Sequence, residues 1–144
     1  MLVEKIKEIT EVDLGWVFNY GRDYEQNRGD YPDDGDLPFD QRAKYVLLLW
    51  KDKDFTLNNQ SGIQGYSFEG EIVFAVRSRF TDPSYSYKYE THIKNLEGLS
   101  EMLFNEFSDC DGWNITRWKE SEVENQYDTN MDGLKIRFTA TYAI

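Results

Sequence analysis

The chain has 144 residues, 16% of them aromatic, and carries 27 acidic side chains against 16 Lys and Arg, for a formal net charge of -11. That length suits a single domain, residues 1–144, burying roughly 68–70% of its unfolded surface, and the acidity argues against a surface built to grip phosphate backbones through Lys and Arg clusters. One cysteine, Cys110, and one histidine, His92, exclude an internal disulfide and a Cys/His zinc set within one chain.

The opening MLVEKIKEIT intersperses charges among apolar residues and reads as neither signal peptide nor membrane anchor, and no segment approaches the ~20 apolar residues of a spanning helix. A soluble protein kept in a reducing cytoplasm is expected. Leu2, Ile6 and Ile9 at helical spacing predict a short helix within residues 1–14, stopped at Gly15. From Gly21 to Asp40, GRDYEQNRGDYPDDGDLPFD clusters turn-forming residues and predicts a long irregular connection. Such a connection usually has a task, and gripping a neighbouring subunit is the one expected. KYVLLLWKDKDFTLN (44–58) opens as a strand buried on both faces. The glycines of QSGIQGYSFEG predict a hairpin tip or bulge, part of an arm over residues 53–69.

EIVFAVRSRF then alternates, with Ile72, Phe74, Val76 and Phe80 on one face and Val73, Ala75, Arg77 and Arg79 on the other. After a break centred on Pro83, a helical stripe runs through Ile93, Leu96, Leu99, Leu103 and Phe107, leaving Glu97, Glu101 and Glu106 for solvent. Asp111-Gly112 punctuates, and Trp113, Ile115 and Arg117 resume an alternating strand. The final segment sets Leu134, Ile136, Phe138, Ala140, Tyr142 and Ile144 against Lys135, Arg137, Thr139 and Thr141, antiparallel to the strand before it. The expected fold is α+β: a mostly antiparallel sheet of about four main strands plus a hairpin arm, with one main helix and a short N-terminal helix packed on one face.

Candidate chemistry is sparse. Asp128, Asn130, Asp132 and Gly133 match positions 1, 3, 5 and 6 of a calcium loop, but position 12 is Thr139 instead of a bidentate Glu. Asp132-Gly133 is therefore expected to be a tight hairpin turn. Asp30, Asp33, Asp34 and Asp36 fit no ligand spacing and read as a solvated acidic loop. No nucleophile motif accompanies His92, which is expected to be exposed or interfacial. Asp109 and Asp111 should raise the pKa of Cys110 and dull it. No phosphate-binding glycine loop is present. No catalytic, cofactor-binding or metal residue is assigned, and an enzyme is not expected. Arg77, Arg79, Lys135 and Arg137 would form a basic patch if their strands are neighbours, and an acidic copy of the subunit could dock there through Glu97, Glu101, Glu106 or the KESEVEN segment.

Three stretches stand out in order: the irregular lead-in FNYGRDYEQNRGDYPDDGDLPFDQRAKYVLLLW with Tyr31-Pro32, the strand, break and helix of EIVFAVRSRF to HIKNLEGLSEMLFNEF, and the closing MDGLKIRFTATY. In this order they resemble the tail terminator and head-to-tail joining proteins of tailed bacteriophages. The resemblance implies a virion component, made in the host cytoplasm, that closes into a hexameric or dodecameric ring at the head-tail junction or tail end. Neighbouring connector, portal or tail-tube proteins would flank it, and DNA would pass without specific binding. It implies no membrane and no cofactor, with Tyr31 and Pro32 joining the charged residues above as interface candidates. The alternative is a small acidic binding or immunity-type module that neutralises a basic protein such as a nuclease toxin. One dense acidic patch would favour that module, and a stripe facing a ring lumen the connector.

Overall fold

A computed structural model describes all residues, 1–144, and its framework is one five-stranded sheet. Strands β1 (Val17–Tyr20), β2 (Tyr45–Leu57), β3 (Ile63–Arg77), β4 (Trp113–Gln126) and β5 (Met131–Ala143) lie in the order β1-β2-β3-β5-β4. All neighbours are antiparallel except β1 and β2. The expected α+β class holds, with one strand more than foreseen. β1 is only four residues long, too short to display a period, and it pairs with Tyr45–Leu48 alone.

The N-terminal stripe folds as predicted: α1 (Leu2–Glu8) buries Leu2 and Ile6, runs on through a π-helical turn at Ile9–Asp13, and stops at Gly15, whose φ of +70° suits glycine. Helices α2 (Asp23–Gln26), α3 (Tyr85–Lys88) and α4 (Lys94–Ser108) follow. A π-helical turn at Tyr89–Ile93 joins α3 to α4 without a break, so the main helix starts about two turns before its apolar stripe. Ser84 Oγ caps it by accepting from the Tyr87 N–H.

The helices and one sheet face enclose the main core, which includes Ile6, Val46, Leu48, Phe74, Leu103, Phe107 and Phe138. Each such side chain contributes about 1.5–3 kcal/mol by leaving water. A second core, Tyr31, Tyr45, Leu47, Leu49, Val73, Ala75 and Met131, lies on the other face. Residues 45 to 49 are therefore buried on both faces, as their apolar run predicts.

Three local expectations are corrected. Asp132 and Gly133 lie inside β5, and the turn is formed by residues 127–130, with Tyr127 and Asn130 at positive φ. Gly133 is needed for proximity, because a Cβ there would strike the Phe74 carbonyl oxygen and come 2.7 Å from the Ala75 Cα. β3 ends at Arg77, which leaves Phe80 outside the sheet and 77% exposed. A bulge between Ile115 and Arg117 turns Arg117 to the face opposite Ile115 and brings Trp118 under α4.

Candidate functional site

Both sheet edges are open. β1 covers β2 only as far as Leu48, so Trp50–Leu57 pair with β3 alone, while β4 pairs only with β5. After an irregularity at Leu49, Lys51 and Lys53 stand opposite Gly70 and Phe68 on the helix face, and Asp52 and Asp54 stand opposite Glu69 and Ser67 on the second face. On β4 the signs reverse. Glu120 and Glu122 lie on the helix face, opposite Ile136 and Leu134, and Arg117 and Lys119 lie on the second face, opposite Thr139 and Arg137. Asp52, Asp54, Arg117, Lys119, Glu120 and Glu122 are all exposed.

The expected basic patch is only partly formed. β3 and β5 are neighbours, as it requires, but Arg77 is 8% exposed and donates inward to the carbonyls of Tyr31 (2.9 Å) and Pro32 (3.3 Å). Arg79 lies beyond the strand and pairs with Asp33 at 2.7 Å and Asp36 at 2.9 Å, which hold its pKa above the ordinary arginine value. Lys135 and Arg137 have Glu71 and Glu69 beside them at 3.8 and 3.6 Å. Tyr31 is buried in the second core and is withdrawn as an interface residue, whereas Pro32 stays exposed. Glu101 and Glu106 are exposed and Glu97 half-buried on α4, across the sheet from Lys135 and Arg137. The acidic connection is not simply solvated: Asp33 and Asp36 serve Arg79, and Asp34 accepts from the Ala43 N–H at 2.8 Å. It grips its own sheet.

Inside the molecule sits a polar cluster built around His92, which was expected to be exposed or interfacial. His92, on the π-helical turn, is 2% exposed, flanked by Arg42 of the connection and by Asp82 of the link that follows β3. Arg42 Nη1 lies 2.7 Å from its Nδ1, and Asp82 Oδ2 lies 3.1 Å from its Nε2. Arginine can only donate, so Nδ1 is the acceptor and Nε2 carries the hydrogen given to Asp82. Burial, opposed by the Asp82 hydrogen bond and reinforced by Arg42, holds the His92 pKa below its ordinary 6.5. Arg42 also donates to the carbonyls of Arg77 (3.0 Å) and Thr91 (3.3 Å). Next to the ring, Asp132 is fully buried; its Oδ1 accepts from the Asn125 N–H at 2.8 Å and lies 3.8 Å from Lys88 Nζ, and its Oδ2 has no hydrogen-bond partner.

No protein-family model and no curated protein matches the chain.

Ligand atoms of Asp82, His92 and Asp132 lie within 4.8 Å of one another, a spacing that invites a metal. Their chemistry does not fit one. Ligation through Nε2 while Arg42 donates to Nδ1 would strip the imidazole of both protons, and the Arg42 guanidinium and the Lys88 ammonium, 3.8 Å from Asp132 Oδ1, would set two positive charges beside the ion. The 128–139 calcium pattern fails too, since its second half is β5. Cys110 has its pKa raised as expected, but by burial first and by Glu8, Asp13 and Glu106, not by the flanking aspartates.

Proposed function

We propose that the chain is a non-enzymatic structural subunit that associates head-to-tail into a closed ring at the head-tail junction or tail end of a tailed-phage virion. One observation carries the association: the two open edges of a single sheet bear opposite charges on both faces. Bringing β2 of one copy beside β4 of the next sets Lys51 and Lys53 near Glu120 and Glu122, and Asp52 and Asp54 near Arg117 and Lys119. Antiparallel pairing of like edges would oppose like charges on each face. A heterologous contact of this kind makes a ring when its rotation closes, and it covers strand edges that would otherwise invite aggregation. The order of elements supports the virion placement, with connector, portal or tail-tube proteins as neighbours. The net charge of -11 suits a channel through which DNA slides without capture.

The test is the native mass across a concentration series. A discrete species of six or twelve copies is expected. Asp52→Lys with Asp54→Lys, or Arg117→Glu with Lys119→Glu, should each give monomers, and mixing the two variants should restore association, since each then offers the edge the other lacks. Wild-type monomer at every concentration, or both variants assembling like wild type, overturns the reading.

A further inference from the structure

We propose that His92 is a proton-operated latch, whose protonation expels Arg42 and loosens the 31–43 segment where it closes over the end of the sheet. This rests on the buried cluster and is independent of ring assembly.

One imidazole joins two parts of the chain distant in sequence. Its Nδ1 holds Arg42, at the end of the covering segment, and its Nε2 holds Asp82, in the link between β3 and α3. Protonation would set an N–H on Nδ1 against the Arg42 N–H across 2.7 Å and two positive charges face to face. The contact to Asp82 would strengthen instead, so the imidazolium keeps Asp82 and loses Arg42. Once displaced, Arg42 releases the carbonyls of Arg77 and Thr91, and the segment stays tethered at its start, by the buried Tyr31, the Arg77 contacts at residues 31–33 and the exposed Arg79 pairs. Facing the ring are Arg42 from the segment, Asp82 from the link, Asp132 from β5 with Lys88 3.8 Å behind it, and Tyr87 from its own helix. The ring borders a cavity of about 480 Å³ shared with Phe39, Arg42 and Tyr87, which gives protons a route to it.

The sign follows from the folded-state value lying below 6.5. The unfolded chain binds the proton more readily, so the stability due to neutral His92 is full above about pH 6.5 and declines as pH falls from there to the folded value. Because the chain has one histidine, its ring resonances report the latch alone.

The experiment follows those resonances by NMR while hydrogen exchange reads the amides of residues 31–43 at matched pH values. The Nε2–H tautomer is expected near neutrality. On protonation the segment should exchange roughly tenfold faster after correction for intrinsic rates, with β3 and β5 unchanged. His92→Asn, whose amide oxygen can still accept from Arg42, should abolish the step, and Asp82→Asn should move it to lower pH. Titration of His92 without release overturns the proposal. So does release in His92→Asn over the same pH range, which would assign it to a group other than the imidazole. Zinc or manganese binding at the ring would also overturn it, by making the cluster a metal site.

Discussion

Phe138 and Gly133, on the same strand, show how packing sets the tolerance of single positions. Phe138 is fully buried against Phe107 and Trp118, so Phe138→Ala should cost about 3–5 kcal/mol, measured by chemical denaturation. Gly133→Ala adds one methyl group yet meets backbone atoms that cannot step aside, and a loss of about 1–3 kcal/mol is expected in the same measurement. Alternation alone assigned Phe138 to the core, because period two is a local property. The role of Gly133 and the burial of His92 were not readable that way: each depends on partners, Phe74 and Arg42, some fifty or more residues away in the chain. A dipeptide favoured in turns was overridden by the register of β5 against β3.

At the level of elements, strands and helices with a full period could be read, and short or irregular ones could not. The stripe from Ile93 to Phe107 announced α4, while α3 and the π-helical turn carry no such stripe and escaped notice. The cap at Ser84 indicates what secures this early start. Ser84→Ala removes the acceptor for the Tyr87 N–H and should cost about 1 kcal/mol, read as a lower thermal midpoint, with exchange rising first at residues 85–88. The π turn also determines which side chains point inward. It lets Lys88 reach Asn125, Glu124 and Asp132 while His92, four residues on, reaches Arg42 and Asp82.

For the whole molecule, the alternation KDKD in β2 was visible as letters, but its meaning required the strand order, which makes β2 and β4 the two edges of one sheet. If opposite edges attract, assembly must weaken as salt shortens the Debye length to about 3 Å at 1 M. The expected result is dissociation to folded monomers at high ionic strength, with the circular dichroism of the monomer unchanged; assembly that tightens with salt would point to an apolar interface instead. The same strand order has a consequence for biosynthesis. β3 is central, and its partners are β2, made just before it, and β5, made more than fifty residues later. While β4 is being translated, the β2–β3 hairpin waits with one long side of β3 bare, and the sheet closes only when Met131–Ala143 has left the ribosomal tunnel. A nascent chain stalled before that point would offer its bare strand to any extended polypeptide nearby, so the interval between making β3 and β5 is when a chaperone has most to protect.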